Sequence, residues 1–129
     1  MKIEFYTSLP LKYHCAMFGK REIISELGNV KFCDDDCQVW CIASDGDDFM
    51  GFSGYCLNKG VLSLKRSYVF PKYRHKGIYR EMLKARLKTP HTVAKCTATK
   101  NSRHELEQQG FTVTKTFKNY WQYEKSNIH

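Results

Sequence analysis

The stretch that decides the fold is YVFPKYRHKGIYR, residues 68–80 of the chain. It starts as the end of an alternating strand, Val61–Phe70, which Pro71 ends because proline cannot donate a ladder hydrogen bond. After Pro71 the apolar period changes from two to 3.6, which indicates a helix. The apolar stripe of that helix consists of Ile78, Tyr79, Met82, Leu83 and Leu87. We therefore predict a strand, a short basic turn and an amphipathic helix in immediate succession.

The turn between this strand and this helix predicts an anion-binding site. The first N–H groups of a helix have no intrahelical acceptor, and the helix dipole is positive at the same end. Gly77 allows a ligand to approach the backbone closely. The basic side chains around it are Arg74, His75, Lys76 and Arg80. A pyrophosphate group fits such a site.

This turn resembles the acetyl-CoA-binding signature of the GCN5-related N-acetyltransferase (GNAT) family, Arg/Gln-x-x-Gly-x-Gly/Ala. Here the signature reads Arg74-His75-Lys76-Gly77-Ile78-Tyr79, and only its last position departs from the pattern. The context agrees, with Val69-x-Pro71 before the turn, Met82-Leu83 after it and Gly110-Phe111 downstream. The resemblance extends over roughly residues 39–115.

The resemblance implies where acetyl-CoA would bind. The strand Val61–Val69 would splay from Thr92–Ala98, and the pantetheine arm would lie in the gap beside Tyr68 and Val69. The backbone N–H of Val69 would stabilise the oxyanion of the thioester carbonyl. Backbone N–H groups from Arg74 through His75, Lys76, Gly77 and Ile78 to Tyr79 would hold the pyrophosphate, and Asn101 would lie near the CoA arm.

The proton-transfer groups are less well defined. Many family members have a tyrosine four residues before the Gly-Phe pair, where it protonates the departing thiolate, but this chain has Leu106. His104 is a candidate acid, or else an ordinary surface histidine. A CoA thiol is also a tolerable leaving group without an acid. The base remains open between a bound water and the carboxylates of Glu22, Glu26, Asp47 and Asp48.

The rest of the chain predicts an α+β protein. We expect strands at 2–8, 37–44, 49–57, 61–70 and 92–98, and one or two closing strands from 111 to about 124. We expect helices at 11–27 (interrupted at Gly19), after Gly77 and at 101–109. This order corresponds to a GNAT-like mixed, mostly antiparallel, splayed sheet flanked by helices on both faces. We expect one domain spanning residues 1–129.

Composition excludes several other classes of protein. The chain is 42% hydrophobic, which is typical of a packed domain, and it has no apolar run of the roughly 20 residues that span a bilayer. It does not begin with a signal-peptide pattern, so we expect a cytoplasmic protein with its six cysteines as thiols. Cys37 and Cys41 are expected on the same inward face of a strand. We predict no metal site, because the cysteines lack the second pair that zinc sites require.

The charge is concentrated in the middle of the chain. Residues 59–104 carry a net charge of +12, against −4 for residues 1–58, and the whole chain carries +8. A one-sign cluster indicates an anionic partner, and the phosphates of CoA account for part of it. The aromatic, basic segment 115–123 fits either a closing strand or a base-stacking surface.

The sequence therefore predicts an N-acetyltransferase that moves the acetyl group of acetyl-CoA directly to an amine in a ternary complex. The acceptor is open between a protein or peptide amine, a small amine and a nucleic-acid-linked amine. A catalytically inactive CoA-binding module is a further alternative, since the usual tyrosine is absent. The oligomeric state is not predicted.

Overall fold

Seven strands and four α-helices form the part of the chain described by the computed structural model, residues 1–29 and 31–127. The strands are β1 (Lys2–Tyr6), β2 (Val39–Asp45), β3 (Asp48–Asn58), β4 (Val61–Val69), β5 (Val93–Ala98), β6 (Thr112–Thr116) and β7 (Trp121–Ser126). The helices are α1 (Leu11–Met17), α2 (Arg21–Glu26), α3 (Ile78–Leu87) and α4 (Arg103–Gln108). Single 3₁₀ turns lie at Asp34–Asp36 and Pro71–Tyr73.

The strands form one sheet in the order β1-β2-β3-β4-β5-β7-β6. All neighbours are antiparallel except β4 and β5, which α3 connects and which run parallel from the pair Val61–Val93 to the pair Leu64–Cys96. The predicted fold class, a mixed and mostly antiparallel α+β sheet, is confirmed. No helix among the described residues has the length and apolar character needed to span a bilayer.

Helices cover both faces of the sheet, so β2 and β3 are buried on both sides. Alternate residues of β2 enter different cores: Trp40 and Ile42 pack with residues of α1 and α2, whereas Cys41 and Ala43 pack against α3. A third cluster joins α3 and α4 to the β4–β5–β7 part of the sheet. Its buried members are Leu62, Leu64, Leu83, Ala94, Ala98, Leu106, Phe111 and Tyr123.

A bulge in β4 shapes the centre of the sheet. Phe52 pairs with Tyr68 and Gly54 pairs with Lys65, so β4 has one residue more than β3 between these two pairs. The extra residue is accommodated at Arg66, whose φ of 54° is left-handed. A bulge of this kind bends its strand, and the parallel pairing with β5 stops just before it, at Leu64. The bulge thus lies where β4 and β5 separate.

Two of three local predictions need correction. Helix α4 begins at Arg103, not Asn101, because the residues before it form a turn. In this turn the N–H of Ser102 donates to the carbonyl of Thr99, and the hydroxyl of Ser102 accepts from the N–H of Thr99. Cys37 and Cys41 do not share a face: β2 begins only at Val39, and Cys37 packs on the α1–α2 side. The predicted break between α1 and α2 at Gly19 is confirmed.

Candidate active site

The gap in the sheet is bounded by two strands that are each paired on their other side. β4 remains paired with β3 as far as Val69, and β5 remains paired with β7 as far as Ala98. Between β4 and β5, however, no pairs follow Leu64 and Cys96. The predicted splay is therefore present, and it opens toward the end of β4 that leads into α3.

The backbone of Val69 faces this gap. The N–H of Phe70 donates to the carbonyl of Met50 on β3 at 3.0 Å. Because successive residues of a strand direct their backbone groups to opposite sides, the N–H and C=O of Val69 point away from β3. The Val69 carbonyl indeed accepts a hydrogen bond from Nε of Arg74 at 2.8 Å. The N–H of Val69 therefore points away from β3, on the side of the gap, and its oxyanion role stays a prediction.

Helix α3 begins at the mouth of the gap without a side-chain cap. Gly77 is its N-cap, with a left-handed φ of 78°, and its carbonyl accepts the first helical bond from Glu81 at 3.1 Å. The N–H groups of Ile78, Tyr79 and Arg80 therefore have no helical acceptor. Three free donors thus lie at the positive end of a ten-residue helix, where the sequence predicts an anion site.

The basic side chains of the turn have different surroundings. Nη2 of Arg74 lies 2.7 Å from both carboxylate oxygens of Glu26 on α2, so this guanidinium ties the turn to α2. His75 is exposed and has a left-handed φ of 63°. Lys76 lies over the ring of Tyr73 at 5.9 Å, and Arg80 is exposed beside Gly77. His75 and Lys76 are thus the side chains left to meet an anion, together with Arg80, whose ion pair with Glu81 is long, at 4.0 Å.

The side chain of Tyr68 lies on the opposite face of the sheet. It is buried among the residues packed by α1 and α2, and its backbone groups face β3. Burial raises the pKa of its hydroxyl, and the nearby carboxylates of Glu26 and Glu22 act in the same direction, while Arg74 opposes them. Tyr68 and the two candidate bases Glu22 and Glu26 therefore lie on the α1–α2 face of the sheet, opposite α3.

Asn101 and His104, the predicted CoA-arm and acid residues, follow β5 on the surface of the protein. Asn101 lies in an exposed turn after β5, and His104 is exposed on α4. Neither side chain makes a hydrogen bond or ion pair with any residue in the described ranges. Their roles in binding the CoA arm and in donating a proton stay predictions.

Leu106, at the position of the family's tyrosine, is a core residue. Its side chain is completely buried among the leucines and alanines beneath the sheet. We expect Leu106→Tyr to destabilise the fold by about 1–3 kcal/mol, because a larger polar side chain would overpack this core. It should not raise turnover. Thermal melts and turnover measurements on the two proteins check this, and a stable, more active variant would contradict it.

Arg86 is a buried residue beside the bulge that the sequence analysis missed. It occupies α3 seven residues after Tyr79, on the same helix face, and its side chain is completely buried. The guanidinium donates to the carbonyl of Gly54 and to the hydroxyl of Ser67, both at 3.2 Å, on the two strands that flank the bulge. The signal available in the sequence was its spacing, since the apolar stripe of α3 passes through position 86.

The other face of the sheet carries a polar groove of about 280 Å³ over β4, β5 and β7. Its polar side chains are Ser63, Lys65, Lys95, Thr97, Gln122 and Glu124. Lys95 pairs with Glu124 at 3.4 Å. On the described part of the chain, no group of three His, Cys, Asp or Glu side chains is placed to bind a metal ion.

Comparison with known proteins identifies the fold. No protein-family model and no curated protein matches the chain. Among solved structures, it is similar to an assigned N-acetyltransferase from Lactobacillus plantarum (17% identity, 98% of each chain covered, TM-score 0.79). It is also similar to a GNAT-family acetyltransferase from Staphylococcus aureus (14% identity, 97% of this chain and 99% of that chain, TM-score 0.70).

A third similar structure is a Bacillus subtilis acetyltransferase in complex with CoA (12% identity, 98% of this chain and 99% of that chain, TM-score 0.66). The chain therefore has the fold of the GNAT acetyltransferases over nearly its whole length. The predicted resemblance is confirmed at the level of the fold.

Proposed function

We propose that this protein is an acetyl-CoA-dependent N-acetyltransferase. The observation that carries the proposal is a pair of backbone donor groups: the N–H of Val69, which points away from β3, and the free N–H groups at the start of α3. These two groups fit an extended ligand with a carbonyl at one end and a diphosphate at the other. A CoA thioester has this form, and the solved complex of a similarly folded acetyltransferase contains CoA.

The proposed reaction is direct transfer in a ternary complex. A neutral amine attacks the thioester carbonyl, and the N–H of Val69 stabilises the negative charge on the carbonyl oxygen, a contribution of roughly 3 kcal/mol. The intermediate then breaks its C–S bond and releases CoA. The amine must first lose a proton. Of the two carboxylates near Tyr68, Glu26 is already paired with Arg74, so Glu22 is the candidate base.

We propose that the acceptor is a small polar amine that enters from the groove on the face opposite α3. The groove volume of about 280 Å³ suits a small molecule, and its polar lining can position charged groups at the start of the gap. A nucleic-acid-linked acceptor is favoured less. The basic side chains are divided between this groove (Lys65, Lys95) and the outer face of α3 (Lys84, Lys88), so they form no single stripe.

Two measurements test the proposal. CoA at 100 times its Kd should stabilise the fold by about 2.7 kcal/mol, a melting shift on the order of 10 °C for a chain this short. Acetyl-CoA mixed with a panel of small amines should release free CoA thiol only when an acceptor is present. The absence of a melting shift would contradict the proposal. A shift without thiol release from any amine would identify an inactive CoA-binding module instead.

A further inference from the structure

The groove on the face opposite α3 contains a positive charge without a partner. Lys95 lies opposite Ser63 of β4 and Glu124 of β7, and it forms an ion pair with Glu124 at 3.4 Å. Lys65 follows Ser63 by two residues, so it lies on the same face, and it lines the same groove. Over residues 1–29 and 31–127, no ion pair or hydrogen bond involves the ammonium group of Lys65. The lining of the groove therefore has a net charge of +1.

The carboxylates on this side of the sheet are engaged with other cations. Arg66, the bulge residue next to Lys65, has its Nε 3.4 Å from the carboxylate of Asp36. Glu124 is paired with Lys95, as described above. A negative charge that meets Lys65 without breaking one of these pairs must therefore come from a bound molecule.

A carboxylate without a partner lies on the same face of the sheet, on α2. Glu22 and Glu26 are four residues apart on α2, so they share one side of that helix. Glu26 accepts from Arg74 at 2.7 Å, and the guanidinium of Arg74 lies 5.4 Å from the centre of the Tyr68 ring. Among the residues that the structure describes, Glu22 has no ion pair. The α1–α2 face thus presents an unpaired cation at Lys65 and an unpaired anion at Glu22.

We propose that the acceptor is an amino acid whose carboxylate is bound by Lys65 and whose reactive amine lies at the far end of its chain. The inference rests on the proposed function and names the class of amine that the groove accepts. A carboxylate, with its single negative charge, balances the net charge of the groove. A phosphate carries about −1.5 to −2 at neutral pH and would leave the groove negative.

The length of β4 determines how far the two charged groups of the acceptor are from each other. Val69, whose N–H is proposed to hold the thioester carbonyl, follows Lys65 by four residues, about 13 Å along an extended strand. The flexible side chain of Lys65 covers part of this distance. The rest requires several carbon atoms between the carboxylate and the amine. An ω-amino acid, or the side-chain amine of a lysine-like molecule, meets this requirement, whereas the α-amine of a free amino acid does not.

The carboxylate takes no part in the bonds that form and break. The amine nitrogen forms a bond to the carbonyl carbon of the thioester, and the C–S bond breaks with its electron pair left on sulfur. The surplus proton of the amine passes to Glu22 or to water. Lys65 is therefore a specificity-determining residue that binds the acceptor and does not touch the reacting atoms.

The test compares two acceptors of equal chain length that differ only in the carboxylate, 6-aminohexanoate and hexylamine. We expect kcat/KM for 6-aminohexanoate to be higher by at least about tenfold, or about 1.4 kcal/mol, with the difference in KM. The preference should shrink in 1 M salt, where the Debye length is about 3 Å. Equal kcat/KM values for the two amines at low salt would overturn the inference.

Variants of Lys65 show whether this side chain causes the preference. Lys65→Met keeps the aliphatic stem at an exposed position, and should raise KM for 6-aminohexanoate by about tenfold while its kcat and the values for hexylamine stay unchanged. Lys65→Glu should reverse the preference, so that 1,6-diaminohexane becomes the better acceptor. Lys84→Met, on the outer face of α3, is the matched control and should change neither amine. An undiminished preference in Lys65→Met would overturn the inference.

A binding measurement separates this inference from the proposed function. In ¹⁵N-labelled protein with CoA present, 6-aminohexanoate should shift the amide resonances of Ser63, Lys95 and Thr97 saturably, and hexylamine should shift them much less. The absence of saturable shifts would overturn the inference. If CoA binds and both amines release thiol at equal rates, the proposed function stands and only the carboxylate site is wrong. If CoA does not bind, the proposed function fails and the acceptor role fails with it.

Discussion

Replacing Gly77 with glutamate is expected to weaken CoA binding by at least about a hundredfold, or about 2.8 kcal/mol. The new carboxylate would lie at the free N–H groups of α3, where the diphosphate is proposed to bind, and like charges repel there. The new Cβ would also approach Nη2 of Arg80 to 2.8 Å and displace that side chain. Isothermal titration calorimetry measures the loss.

Gly19→Glu is the matched control for this variant. Gly19 has nearly the same left-handed backbone, φ 77° against 78° for Gly77, and no atom lies within 4 Å of its added Cβ. Both substitutions therefore carry a similar backbone cost of about 1–2 kcal/mol, and only one places a charge at the anion site. Equal CoA affinities in the two variants would show that the start of α3 does not bind the diphosphate.

The second large effect is expected from Gly54→Ala, which should lower the melting temperature by on the order of 10 °C. A Cβ at position 54 would overlap the side chain of Cys37 and lie 3.2 Å from the ring of Trp40. Both neighbours belong to the α1–α2 core, and overpacking of such a core costs about 3 kcal/mol. Differential scanning calorimetry checks the change.

A second substitution tests the cause of that loss. Cys37→Gly removes the atoms that the new methyl group would overlap, so the double variant should be more stable than Gly54→Ala alone. This recovery would be a positive coupling between neighbours, as a double-mutant cycle measures it. If the stability losses of the two substitutions were additive, the methyl group would instead destabilise the fold by disturbing the bulge, where the carbonyl of Gly54 accepts a hydrogen bond from Arg86.

The strand-turn-helix unit was predictable from the sequence because its determinants are local. Pro71 ends the strand, Gly77 permits the left-handed cap, and the apolar period changes between them. The splayed sheet and its helix layers came from the family resemblance, since one short segment cannot specify which strands are neighbours. The fold comparison confirms that part.

The bulge and the buried cation could not be predicted in the same way. Arg66 takes a left-handed φ although it is not Gly, Asn or Asp, so the residue type at this position does not indicate a bulge. Arg86 was not singled out from the sequence because arginine on a helix is usually solvated, and only the packed sheet reveals its three neutral partners. Cys37 was misplaced because strand alternation does not continue before Val39.

The central claim is that backbone N–H groups in the gap and at the start of α3 bind CoA. Backbone amide resonances of the ¹⁵N-labelled protein, recorded during titration with CoA, test it most directly. The amides of Val69, Ile78 and Arg80 should shift strongly and saturably, whereas that of Phe70, which is bonded to Met50 on β3, should shift much less. Saturable binding that leaves the resonances of Val69 and Ile78 unchanged would contradict the account.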